Sequence, residues 1–216
     1  MLHPDSMLIR FLTKICDLLF LNIIFVLSCA TVVFSGAAVT SLYAVTLKMM
    51  RGQDCAPVKD FLRALRENFL PSFPAAILLF VDVTLLAVLR TALYAETLLM
   101  SPTLFVLLAI ITTLLSALLA WLFPLLARFE NTFARHLSNA VRLSLANLPV
   151  TFLLTAVNLL PLLLCLLIPP SLGVVFAFWL LFGFAAGAWV NSFYLNRIFE
   201  ALQGGGRKFN NILYYK

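Results

Sequence analysis

Four long stretches of this chain carry no Asp, Glu, Lys, Arg or His: residues 18–47, 70–81, 97–127 and 143–196. A helix of about 20 apolar residues, rising about 1.5 Å per residue, crosses the roughly 30 Å hydrocarbon layer of a bilayer. With 63% apolar residues, 11% charged residues and a mean hydropathy of +1.05, too little polar surface remains to cover a soluble globule. The sequence therefore predicts an all-α, polytopic transmembrane helix bundle, with residues 1–216 forming one integral membrane domain. The net charge of +6 does not point to nucleic acid, because the 15 Lys and Arg lie almost entirely between the apolar runs. There they set topology and meet lipid headgroups.

Five full spans are predicted at about 15–34, 70–89, 103–127, 148–168 and 172–195. Ser35-Gly36 is read as a break after the first span, leaving residues 37–50 as a short re-entrant or interfacial helix. Pro169-Pro170 forces the last two spans into an antiparallel hairpin. Arg10 and Lys14 before an apolar run imitate a signal peptide, and Val26-Leu27-Ser28-Cys29 loosely resembles a lipoprotein cleavage box. The apolar run continues past that box and several spans follow, so the first span is read as retained.

Lys and Arg counts orient the bundle. Residues 48–66 carry five, residues 128–142 three and residues 197–216 four, whereas the opposite connections offer Arg90 alone. Both long loops and the C-terminus are accordingly assigned to the cytoplasm. Five spans would place the N-terminus outside, against the preference of Arg10 and Lys14; a sixth short crossing by residues 37–50 would remove that conflict.

Each cytoplasmic loop is predicted to hold an amphipathic helix, over 57–69 and 128–146. In the first, Val58, Phe61, Leu62, Leu65 and Phe69 form the apolar stripe opposite Lys59, Arg63 and Arg66. In the second, Phe129, Phe133, Leu137 and Val141 oppose Arg128, Arg135 and Arg142. Such helices lie flat at the headgroup boundary or dock a partner. Together with Arg207 and Lys208 in the basic tail over 203–216, these cations are the candidate membrane-surface or partner contacts. The two helices also look like copies: Arg63, Asn68 and Arg142, Asn147 are offset by 79 residues, with Pro71 and Pro149 close behind, a pattern of interfacial helix, span, span, repeated in the same orientation.

Asp82 is the outstanding polar residue. A lone carboxylate deep in a span costs several kcal/mol unless it is neutralised or paired toward the interior. Its readings are a contact for protons or substrate, or a carboxyl bonded to another helix. Asn22, Asn158 and Asn191 join it as the candidate intramembrane polar site, although such amides commonly stitch helices together, as does Asn196. Trp121, Trp189 and Tyr194 read as interface anchors. Gly183 and Gly187 form a GxxxG, read as packing within the bundle, with a homo-oligomer seam as the alternative. Cys16, Cys29, Cys55 and Cys165 show no CxxC or metal-like spacing and read as small apolar fillers. His3 and His136 lack catalytic partners, neither HExxH nor GxSxG occurs, and Gly204-Gly205-Gly206 opens no phosphate loop. The sequence thus implies no enzyme and no cofactor.

Leu21-Asn22, Thr31, Gly36, Ala44, Lys48, Arg51-Gly52, Asp60-Phe61 and Glu67-Asn68-Phe69 together resemble the YesL family of small bacterial membrane proteins. The similarity is sharpest from Phe11 to about Phe80. The chain departs from the family at Ala30, where a proline is usual, and at Phe34-Ser35, where a threonine precedes the glycine. What the resemblance implies is a helper of carbohydrate import in the cytoplasmic membrane, since such proteins accompany carbohydrate uptake systems in Gram-positive bacteria. The leading expectation is a non-enzymatic accessory protein within a membrane transport complex. A small secondary transporter working through Asp82 and the buried Asn residues comes next, and an intramembrane enzyme last.

Overall fold

Where a backbone lies in hydrocarbon it must satisfy its own hydrogen bonds, and helices do so locally. The computed structural model describes residues 7–94, 101–167 and 172–204, and every regular element among them is helical. These are α1 (Met7–Cys29), α2 (Val32–Met50), α3 (Pro57–Asn68), α4 (Phe73–Tyr94), α5 (Pro102–Arg128), α6 (Phe133–Ala146), α7 (Leu148–Leu167), α8 (Leu172–Phe178) and α9 (Phe184–Gly204). A π-helical turn, Trp179–Gly183, joins the last two. The architecture is the all-α polytopic bundle that the charge-free runs imply. Pro169-Pro170 and the tail cations Arg207 and Lys208 lie outside the described residues.

Among the described residues, α1, α2, α4 and α5 each hold a segment long and apolar enough to cross a membrane. A fifth crossing is reached if α6 and α7, bent by 109° at their junction, count together. The break expected at Ser35-Gly36 falls instead at Ala30-Thr31. Ala30 closes a turn by donating its N–H to Leu27 O, and Thr31 adopts an extended backbone before α2. The segment expected over 37–50 is thereby the larger part of a 19-residue helix. Gly36 lies inside that helix for another reason. A Cβ there would stand 2.7 Å from Ala76 Cβ and 2.8 Å from Ser72 O, so glycine lets α2 and α4 touch backbone to backbone.

α2 is the centre of the bundle and packs on α1, α3, α4, α5 and α9. Its hydroxyls need no water: Thr40, Ser41 and Thr46 each donate to a carbonyl one turn back. Thr40 also meets Ser72 at 2.8 Å, and Thr46 meets Ser192 of α9 at 2.9 Å. These are interhelical bonds of the kind worth roughly 0.6 kcal/mol each on average.

α3 does not lie free on a lipid surface. It folds back along α2, with Lys48 donating to Asp60 at 2.6 Å near its start and the Phe69 ring tilted against Phe34 beyond its end. That bond from Lys48 holds the Asp60 carboxyl below its usual range, while burial pushes the neighbouring Cys55 thiol up to about 11. Phe61, Ala64 and Asn68 are buried against the bundle, and Val58 and Leu62 of the predicted stripe are exposed. In α6 the buried face consists of His136, Asn139, Ala140 and Leu143, whereas Val141 is exposed. Of the predicted stripe, Phe129 is buried at the end of α5 and Phe133 and Leu137 pack partly buried on the core, so the buried face of α6 is widened toward His136 and Asn139 and not replaced.

One end of the bundle gathers the C-terminal ends of α2, α5 and α9. Asn196 donates to Leu47 O and accepts from Arg128 Nη1 at 2.7 Å. Arg128 is buried and lies over the Phe199 ring, 5.3 Å from its centroid. It ties α5 to α9, which corrects its assignment as a surface contact. Trp121 is likewise buried, donating to Thr151 Oγ1 at 2.8 Å, and so is not an interface anchor.

The 79-residue offset has a structural counterpart. Asn68 donates to Ala64 O and Asn147 to Leu143 O, and the next turn begins with Ser72 N–H on Asn68 O and Thr151 N–H on Asn147 O. Each of those hydroxyl residues then bonds the preceding long helix, Ser72 to Thr40 and Thr151 to Trp121.

Candidate functional site: a cavity at Asp82

Asp82 stands nine residues beyond the start of α4, roughly 14 Å along its axis. At that depth its acceptors need protein partners. Ser116 of α5 donates to Asp82 Oδ2 at 2.9 Å, while Oδ1 is buried without a hydrogen-bond partner. The residue is 5% exposed. Arg90, the nearest cation along α4, is exposed and more than two turns away.

Asp82 and Ser116 line a cavity of about 390 Å³ whose walls come from α1, α2, α4, α5, α7, the π-helical turn and α9. That volume lies at the lower end of the range typical of small-molecule sites. The lining is mostly apolar, with Phe25, Tyr43, Phe123, Trp179 and Phe184 supplying aromatic faces. Among the described residues no Lys or Arg lines it. Val83, 54% exposed, and Phe184, 40% exposed, mark where the cavity approaches the outer surface of the bundle.

The predicted amides divide by role. Asn191 is buried in α9 and donates to both Tyr43 Oη and Asn158 Oδ1, each at 3.1 Å. It thus fixes two cavity residues from behind the wall. Asn158 lines the cavity itself and is exposed. Asn22 serves the backbone: its Nδ2 donates to Trp179 O at 3.0 Å and Leu180 O at 2.8 Å, and its Oδ1 accepts from Ala185 N–H at 2.8 Å. A π-helical turn disturbs the regular ladder, and one buried amide satisfies three groups at that junction. The structure therefore brings Asp82 and Asn158 to one cavity, sets Asn191 behind them and gives Asn22 to the helix junction.

Gly183 and Gly187 border the same cavity. A Cβ on Gly183 would meet the Trp179 ring at 2.7 Å, and one on Gly187 would meet Val157 of α7 at 3.3 Å. Both glycines are used by packing within the chain.

Ser116 and Tyr43 were not singled out in the sequence. Ser116 sits among apolar residues of α5 with nothing to mark it as the partner of a carboxyl 34 residues earlier. Tyr43 falls in the segment read as a short re-entrant or interfacial helix. Of the predicted surface cations, Lys59, Arg63 and Arg66 on α3 and Arg135 and Arg142 on α6 are exposed. Among the described residues no three His, Cys, Asp or Glu side chains converge as metal ligands would.

Residues 18–89, one third of the chain, match a family described as a protein of unknown function, DUF624. The DUF624 match runs from α1 into α4 and contains Asn22, Gly36, Tyr43, the Lys48–Asp60 pair and Asp82. No curated protein and no solved structure matches the chain.

Proposed function

We propose that the chain is a non-enzymatic protein of the YesL kind in the bacterial cytoplasmic membrane, acting as an accessory component of a carbohydrate uptake system. One observation carries this reading. α3 and α6 use their other faces to pack on the bundle and turn Lys59, Arg63, Arg66, Arg135 and Arg142 outward, where they are available to an acidic partner or to lipid phosphate.

The same geometry supports a cytoplasmic placement of these helices. α1 and α2 form an antiparallel pair joined by two residues, so the chain returns after α2 to the side on which α1 began. Arg10 and Lys14 then share a side with the Lys48–Asp60 pair and with the C-terminal end of α9, and every basic segment obeys one orientation. With α2 long and apolar enough to cross, Arg10 and Lys14 no longer conflict with a cytoplasmic loop after it.

The cavity argues against the chain being itself the sugar carrier. A sugar presents hydroxyls on all sides, and burying them against Phe25, Leu42, Leu79, Leu86 and Phe123 would leave most without partners, at roughly 1–3 kcal/mol each. A second reading, transport of a different solute through the cavity at Asp82, is favoured by the unpartnered Oδ1.

Replacing Arg63, Arg66, Arg135 and Arg142 together by Gln is expected to abolish capture of a partner by cross-linking in native membranes, with the variant still folded and inserted. Capture of the same partner at wild-type yield would contradict the docking role.

A further inference from the structure

The cavity combines three features that suit one class of ligand. Among the described residues Asp82 is its only carboxyl group, and none of those that line it is Lys, Arg or His. Ser116 holds one carboxyl oxygen of Asp82 and leaves the other without a hydrogen-bond partner. Five aromatic side chains surround the space, and aromatic faces attract cations, most strongly where water is excluded.

We propose that this cavity binds a small lipophilic amine, an ammonium group on an apolar aromatic or alkyl body. The ammonium donates to Asp82 while the body fills the space between Phe25, Phe123, Trp179 and Phe184. Tyr43 and Asn158, held by Asn191, offer further acceptors on the lining. A carboxylate buried alone is costly, and a cation of matching size removes that cost; a neutral or anionic ligand does not. Val83, a lining residue exposed on α4, marks a lateral side of the cavity. α4 rests on α2 and α5, α1 rests on α2, α3, the π-helical turn and α9, and the two helices contribute Val83 and Val26 to the same lining. An amine dissolved in the bilayer could reach Asp82 by that side.

The proposal rests on the cavity and not on the docking helices, so it can fail while partner capture by α3 and α6 stands. The test uses the full chain in detergent with two probes of one shape, tryptamine and its neutral alcohol analogue tryptophol, read by thermal stabilisation and by equilibrium binding. Tryptamine is expected to bind the wild type about tenfold or more tightly than tryptophol. Asp82→Asn is expected to erase that preference. Ala120→Leu, which adds bulk to the lining and leaves the Asp82 carboxyl in place, is expected to abolish binding of both. Equal affinity of the wild type for the two probes would overturn the proposal, as would no binding of tryptamine, or an undiminished preference for tryptamine in a folded Asp82→Asn or Ala120→Leu protein.

Discussion

Asn22→Leu is expected to lower the thermal unfolding midpoint of the detergent-solubilised protein by about 5–15 °C. The side chains are similar in size, so the loss is in hydrogen bonding. Asn22 satisfies Trp179 O, Leu180 O and Ala185 N–H, all at the junction of the π-helical turn with α9. Side-chain hydrogen bonds in membrane proteins average about 0.6 kcal/mol, which for three gives about 2 kcal/mol. Backbone groups left buried and unpaired add roughly 1–3 kcal/mol each where no substitute forms, so the total reaches several kcal/mol. Ile23→Leu, at the adjacent exposed position, is expected to change the midpoint by no more than about 1–2 °C. Equal, small effects at 22 and 23 would show that the junction does not depend on the amide.

Gly36→Leu is expected to prevent accumulation of folded protein. At this contact even a single methyl group overlaps with Ala76 Cβ at 2.7 Å, Ser72 O at 2.8 Å and Ala76 Cα at 2.9 Å. Two of these three atoms are backbone and cannot move aside by a rotamer change. Overpacking costs about 1–3 kcal/mol where side chains can adjust, and more where they cannot. Forcing α2 away from α4 also separates Thr40 from Ser72, breaking a buried bond at 2.8 Å. Gly36→Ala is expected to be folded and markedly less stable, and Gly173→Ala, where a Cβ would meet nothing within 4 Å, to be neutral. The comparison is read by the yield of monodisperse protein on size exclusion and by thermal unfolding. A Gly36→Leu protein as abundant and stable as the wild type would refute the close approach.

The difference between Gly36 and Ala30-Thr31 shows how far a sequence alone reaches. A glycine in an apolar run is consistent both with a turn and with a close helix contact, and only the position of Ala76, 40 residues away, decides between them. The charge-free runs were legible because solvent transfer acts on each residue independently of its partners. The amphipathic helices and much of the face they bury were legible, Phe61, Leu65, Phe133 and Leu137 all lying against the core, but not the full width of that face: α6 also turns His136 and Asn139 inward, a choice made by its neighbours α5 and α7. Arg128 was misplaced for the same reason, since its spacing matches Arg135 and Arg142 while its Asn196 partner lies 68 residues later. Asp82 was visible by its depth. Ser116, Tyr43 and the cavity between them came only with the packing of the long helices.

The central claim is that lipid surrounds this bundle and that its basic segments share one inner face. It is tested most directly by single cysteines introduced at Gln53, between α2 and α3, and at Ser101, just before α5, with the native cysteines replaced by serine. Both positions are exposed. In intact cells an impermeant maleimide is expected to label Ser101→Cys at once and Gln53→Cys only after the membrane is permeabilised. Labelling of Gln53→Cys from outside intact cells, or both sites reacting from the same side, would contradict the account.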